Sequence, residues 1–244
     1  MGGDRYEGGP QKGTSFVQRI REARRIAQPA AHSPALTDIP YRAVSIYPST
    51  VLARLGIAPN QITILWIVLG IAGVLALASP SYGVRIAGAV LLEVSYLFDF
   101  VDGEVARLTN RTSQLGYLLD LAGHGIIKTA LFLAIGYGLF ASTHRYEMLM
   151  LAFLACVGVS NGQMVPFYVG EAFRRTESGR VPAAQTARSL LRKLLSWSVY
   201  AFESPGLYLL VLLGAVFNGL EWVLVFYGIL SPLWFLYRLV RFRL

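Results

Sequence analysis

Six apolar stretches dominate the chain, at about residues 61–79, 85–107, 115–140, 147–169, 204–220 and 222–239, and each is read as long enough to cross a bilayer. Within lipid every backbone N–H and C=O must find its partner inside the protein, so runs of this length have to be helices. Composition agrees, since 55% of the 244 residues are apolar and only 15% charged. The expected fold class is all-α: a polytopic membrane helical bundle of about six transmembrane helices with N-terminal interfacial helices. The fifth stretch is short, and Glu221 leaves little room for the turn after it.

Ahead of the first stretch the chain changes character twice. Residues 1–13 are Gly-rich and polar, a composition too poor in apolar groups to fold. From Ser15 to Gln28 a helical pattern puts Phe16, Ile20 and Ala23 on one face and crowds Arg19, Arg21, Arg24 and Arg25 around the rest. Such a segment fits a helix on a membrane surface or a solvated basic tail. Tyr41 to Leu55 carries a second apolar stripe, including Val51, Leu52 and Leu55, and reads as an interfacial helix leading to Pro59 and Asn60, a natural helix start. The expected organisation is a cytoplasmic, partly disordered basic tail over 1–40 and one membrane-embedded domain over 41–244.

Charge sets the orientation. The first sixty residues hold no uninterrupted apolar run, which predicts no cleavable secretory signal and a tail that stays in the cytoplasm. With the N-terminus inside, Arg85 and Arg145 alone fall outside; the other Lys and Arg, apart from Lys128 within the third stretch, gather on the inner side. That asymmetry predicts cytoplasmic termini on a multi-pass integral membrane protein. The net charge of +8 is accounted for by anionic membrane lipids and phosphorylated substrates, with no nucleic acid partner. Residues 170–203 pair Arg174, Arg175, Arg180, Arg188, Arg192 and Lys193 with an apolar side of Leu190, Leu191, Leu194, Leu195 and Trp197, as a loop hugging the inner leaflet does. The lone Cys156 excludes a disulfide within the chain and reads as a small apolar filler.

Three carboxylates interrupt this apolar background. Asp99 and Asp102 share a helical face at the inner end of the second stretch, with Ala106 following, and Gly116, Asp120 and His124 recur at i+4 along the third. A short turn around Asn110 to Ser113 brings the acids to similar depth. Ionisable groups at membrane depth are costly and mark functional sites. Converging carboxylates repel unless cations neutralise them, and hard divalent ions, Mg²⁺ or Mn²⁺, suit oxygen ligands beside phosphate. Gly103, Ala106 and Gly116 are small enough to admit a flat ligand, though small residues also serve helix packing.

The run Asp99, Asp102, Gly103, Ala106, Arg107, Gly116, Asp120 at these gaps resembles the signature of the CDP-alcohol phosphotransferase (CDP-alcohol phosphatidyltransferase) family, and Pro59 to Thr63 looks like the segment opening the first span in those enzymes. The resemblance covers roughly residues 41–170. It implies a six-helix membrane fold, commonly a homodimer, with a polar cavity open to the cytoplasm. It also implies an enzyme that passes a phosphatidyl or phosphoalcohol group from a CDP-linked donor to a hydroxyl acceptor and releases CMP. Asp99, Asp102 and Asp120 would then hold divalent metal, while Gly103, Ala106, Arg107, Gly116, Asn60 and Thr63 would receive the nucleotide. Arg107 has a competing role as a helix-end anchor.

His124 departs from the family pattern, which has a fourth aspartate there, usually assigned as the base for the acceptor hydroxyl. Three roles are open to it: the base itself, a metal ligand favouring an ion softer than Mg²⁺, or the mark of a site that binds and turns over poorly. Lys128, one turn further on, fits either an acceptor phosphate or an ion pair. Glu93 matches it in depth but falls half a turn out of phase with Asp102, so it should face away from the cavity. Arg111, Arg174, Arg175 and Arg180 fit a phosphorylated acceptor or, equally simply, anionic lipid. The rival class is a cation-coupled transporter, which usually sets its acids nearer mid-membrane; a further alternative is a catalytically impaired lipid- or nucleotide-binding relative.

Overall fold

A computed structural model of the chain describes residues 16–28, 38–175, 202 and 204–241. The helices are α1 (Phe16–Ala27), α2 (Ile39–Arg54), α3 (Pro59–Leu77), α4 (Tyr82–Thr109), α5 (Gln114–Thr143), α6 (Glu147–Arg175), α7 (Ser204–Val216) and α8 (Leu220–Arg241), and no strand occurs among the described residues. Three of these, α3, α5 and α8, are long and apolar enough to cross a membrane. The six spans expected from the sequence are thus met in full by three helices. Although α4 has the length, with 28 residues, Arg85, Glu93, Asp99, Asp102, Glu104 and Arg107 make it too charged to qualify. The apolar parts of α6 and α7 are shorter. Of the inner-leaflet loop expected over 170–203, residues 170–175 instead continue α6, while 176–201, Arg180 included, and 203 lie outside the described residues, as do 1–15 and 29–37.

The described residues form two compact units, one drawn from 1–73 and 90–124, the other from 74–89 and 125–244. In the first unit α1 is neither loose nor solvated on all sides. Ile20, Ala23 and Ala27 are buried together with Ile46 of α2 and Leu108 of α4. A second apolar cluster joins Ile62 of α3 to Val101 and Val105 of α4. Helix ends are sharply made: α2 stops at Gly56, whose φ of 72° lets the Ile57 N–H reach the Leu52 carbonyl, and α4 stops at Asn110 (φ 53°), with the Arg111 N–H on the Ala106 carbonyl. These are αL terminations, and the second turns the chain directly into α5.

The second unit is held by α6 and α8. A Cβ on Gly158 would collide with Ser231 and one on Gly162 with the Trp234 ring, so small residues set how closely these helices pack. Arg238 lies 4.9 Å from the Trp234 ring centre and donates to the Gly162 carbonyl at 3.0 Å. Cys156 is a half-buried free thiol in α6.

Candidate active site

The site is assembled from α3, α4 and α5 within the first unit. Pro59 opens α3, which carries Asn60, Thr63 and Trp66 down one side at successive three-residue steps. Facing them, α4 supplies Asp99 and Asp102. The αL stop at Asn110 returns the chain so that the first turns of α5 present Asp120 and His124.

Asp102 is the most enclosed of the three aspartates, with 9% of its surface exposed. Its Oδ2 accepts a hydrogen bond from Thr63 Oγ1 at 2.6 Å and another from Trp66 Nε1 at 2.9 Å. Two donors on one oxygen hold the side chain rigidly toward α3 and offset the cost of burying its charge. Thr63, itself buried, is thereby committed to Asp102.

Asp99, Asp120 and His124 converge. His124 Nε2 lies 3.3 Å from Asp99 Oδ1 and 3.6 Å from Asp120 Oδ1, so one imidazole nitrogen faces two carboxylates. One ligand atom from each of the three falls within 4.8 Å of the others, close enough to hold a single metal ion. Asp102 is not part of that set, its carboxylate being turned to Thr63 and Trp66. The imidazole packs against Trp66 with ring centres 5.1 Å apart, and its Nδ1 is buried with no hydrogen-bond partner among the described residues. Nε2 is therefore the working nitrogen. The donor set of two carboxylates and one imidazole fits a divalent cation, and fits Mn²⁺ better than Mg²⁺ because of the nitrogen.

The other residues singled out in the sequence divide into two groups. Asn60 and Gly116 come together: Ser113 Oγ accepts from the Gly116 N–H at 2.9 Å, capping α5, and donates to Asn60 Oδ1 at 3.2 Å. A Cβ on Gly116 would stand 2.8 Å from that Asn60 oxygen, so a larger residue there would displace the Asn60 side chain. Arg107 extends back over Gly103, with its terminal nitrogens 3.4 and 3.5 Å from where a Cβ of that residue would sit. Its Nε donates to the Ala27 carbonyl at 2.6 Å. Ala106 is half-buried and Arg111 exposed. Lys128 is buried and belongs to the second unit, while Arg174 and Arg175 fall in the last turn of α6.

Two residues of this neighbourhood escape sequence reasoning. Trp66 touches both Asp102 and His124; its three-residue step from Thr63 was the available signal. Glu104 sits in a variable position of the signature yet is buried, accepting from Gln28 Nε2 (2.6 Å), Ser45 Oγ (2.7 Å) and Ser49 Oγ (2.6 Å). Ser45 and Ser49 stand one turn apart on α2, where they are buried together with Ile46 and Thr50.

Fold and site together define an integral membrane protein, built of helices, that gathers carboxylates and an imidazole where α3, α4 and α5 meet. The chain belongs to the CDP-alcohol phosphatidyltransferase family, whose sequence pattern matches residues 56–233. A phosphatidylinositol phosphate synthase of Corynebacterium glutamicum is 35% identical over 109 residues, which are 45% of this chain and 49% of that protein. A CDP-diacylglycerol–serine O-phosphatidyltransferase of Saccharomyces cerevisiae is 36% identical over 85 residues, 33% of this chain and 28% of that one. The chain thus matches about half the length of the first relative and less of the second. The fold is that of the Mycobacterium tuberculosis phosphatidylinositol phosphate synthase with CDP-DAG bound: TM-score 0.61 at 20% identity, covering 82% of this chain and 94% of that one. The same enzyme in complex with manganese and citrate gives 0.51 at 21% identity, covering 80% and 88%.

Proposed function

We propose that the protein transfers a phosphatidyl or phosphoalcohol group from a CDP-linked donor to a hydroxyl acceptor, releasing CMP, in phospholipid biosynthesis. The observation that carries the proposal is the convergence of Asp99, Asp120 and His124 within 4.8 Å on the family's own signature helices. Both curated relatives are named for phosphatidyl chemistry, which favours CDP-diacylglycerol as donor. The mycobacterial enzyme is seen in complex with manganese, and the carboxylates of Asp99 and Asp120 suit Mg²⁺ or Mn²⁺. When bound, such a cation neutralises the donor's diphosphate and the charge that gathers on departing CMP.

The chain's own residues do the rest. Asp99 and Asp120 supply the hard oxygen ligands, and Asp102, fixed by Thr63 and Trp66, adds a third carboxyl group beside them. Arg107, Gly103, Ala106, Asn60 and Gly116 receive the nucleotide half of the donor. Arg111, Lys128, Arg174, Arg175 and Arg180 are the candidates for a phosphorylated acceptor. His124 Nε2 takes the acceptor hydroxyl proton as that oxygen bonds to the phosphorus carrying the donor's alcohol. The bond from this phosphorus to the CMP oxygen breaks, and CMP leaves with the electron pair. The positive inner face favours cytoplasmic termini and a cytoplasmic site. A homodimer is the expected assembly.

The test is purified protein with CDP-diacylglycerol or CDP-linked small alcohols, a panel of hydroxyl acceptors, and Mg²⁺ or Mn²⁺, read by CMP release and lipid mass. Metal-dependent CMP release is expected; its absence with every donor sinks the proposal. His124→Ala should abolish transfer and His124→Asp retain part of it, and full activity in the alanine variant removes the base role. A second reading, His124 as a metal ligand, is favoured by its Nε2 lying between two carboxylates. Mn²⁺ affinity separates the two, because His124→Ala weakens it only if the imidazole is a ligand.

A further inference from the structure

The last turn of α1 reaches the signature segment of α4. Gln28 Nε2 donates to Glu104 Oε1 at 2.6 Å and to the Arg42 carbonyl at 2.8 Å, tying three helices at one point. Arg24 adds a bond to the Ala43 carbonyl at 3.0 Å. Beneath these polar ties lie the buried Ile20, Ala23 and Ala27. The end of α1 is therefore fixed relative to α4, and it presents the Ala27 carbonyl to Arg107 Nε at 2.6 Å.

That contact has a direction. The C-terminal carbonyls of a helix carry partial negative charge and lack partners within the helix, so a guanidinium caps them well. Nε has a single hydrogen, and Ala27 takes it. The two terminal nitrogens stay outside the bond, on an exposed side chain lying over Gly103 of the signature. An arginine held in this way has less rotamer freedom left to lose when an anion binds.

We infer that α1, acting through Ala27 and Gln28, is a positioning element for the donor site, holding the Arg107 guanidinium over Gly103 where the nucleotide half of the donor is received. The inference rests on the proposed function, since it takes Arg107 as a donor-binding residue. Gln28 is a positioning residue in this scheme and touches no substrate.

The test uses the full chain in detergent, with CMP titrated calorimetrically and initial rates measured against donor and acceptor. Gln28→Ala should weaken CMP binding and raise the donor KM by about fivefold, what the net loss of one hydrogen bond yields in an equilibrium constant. The kcat and acceptor KM should hold. Arg107→Lys, which keeps the charge but loses the fork, should weaken the donor too, and adding Gln28→Ala to it should change nothing further. Additive losses in the double variant overturn the inference, as does an unchanged donor KM in Gln28→Ala while Arg107→Lys weakens it; in the latter case the donor role of Arg107 stands. If neither variant moves CMP affinity, that role falls as well. Should Gln28→Ala fail to fold, Arg24→Ala, which removes only the exposed bond to the Ala43 carbonyl, loosens the same helix more gently and is read against the same outcomes.

Discussion

Helix α4 carries acids on two faces, and their fates differ. Glu93 and Glu104 stand eleven residues apart, about three turns, and both turn toward α2. Asp99 and Asp102 occupy the other side and turn toward α3 and α5. On the α2 face the hydrogen bonds these carboxylates accept come from neutral donors, Tyr41 to Glu93 at 2.6 Å, and Gln28, Ser45 and Ser49 to Glu104, with the charged Arg107 guanidinium also near Glu104. On the other face Asp99 meets His124, whose same Nε2 also faces Asp120. Hydroxyls and amides quiet a buried carboxylate and make it structural, whereas ionisable neighbours leave charge unbalanced for a ligand to complete. Asp102 is intermediate, belonging to the reactive face but held by Thr63 and Trp66.

The largest expected effect breaks the comparison most directly. Asp99→Ala and Asp120→Ala should each lower transfer by about 10²–10³-fold or more, the scale on which preorganised charge contributes to catalysis. Their thermal midpoints in detergent should stay level or rise, because one of several like charges has gone. CMP release and a thermal scan on the same preparations check both halves. A variant that keeps its rate, or one that loses its fold, would place these acids with Glu104 on the structural side.

Glu104→Ala is the converse. It removes three hydrogen bonds, leaving Ser45 Oγ without its acceptor while Gln28 keeps the Arg42 carbonyl and Ser49 the Ser45 carbonyl, and should cost about 3 kcal/mol of stability. The readout is a lowered unfolding midpoint, with kcat per folded molecule retained. Loss of turnover in a fully folded Glu104→Ala protein would erase the distinction between the two faces.

Much of this division was legible in the sequence. The i+4 spacing puts Asp120 and His124 on one face, and helical phase alone turns Glu93 away from Asp102. Phase does not reveal what Glu93 turns toward. Its partner Tyr41 is 52 residues distant, and the Gln28 to Glu104 bond spans 76. Such pairings depend on how helices pack, to which local periodicity is blind. Trp66 was hidden for a different reason: in an apolar span a tryptophan reads as lipid-facing or core, and only the packed structure gives its N–H to Asp102. The same charges that flagged α4 as functional also kept it from meeting the length and composition of a plain membrane span.

The smallest expected effect sharpens the comparison at the other end of α4. Tyr41 donates its phenolic proton to Glu93, and burial first, then that hydrogen bond and the carboxylate's charge, raise the phenol above its ordinary range. A group whose folded pKa lies above its unfolded value stabilises the fold fully below the unfolded value and loses that contribution as pH climbs toward the folded one. The bond should therefore be intact through neutral pH and its contribution should decline from about pH 10 upward. Tyr41→Phe should cost about 1 kcal/mol at neutral pH. The cost should shrink under alkaline conditions, because the wild-type protein then loses what the variant never had. Unfolding midpoints of the two proteins, followed from pH 7 to 11, should converge; a gap that stays constant across that range would mean the tyrosine contributes through its ring packing against Tyr96 and Phe100 instead of through Glu93.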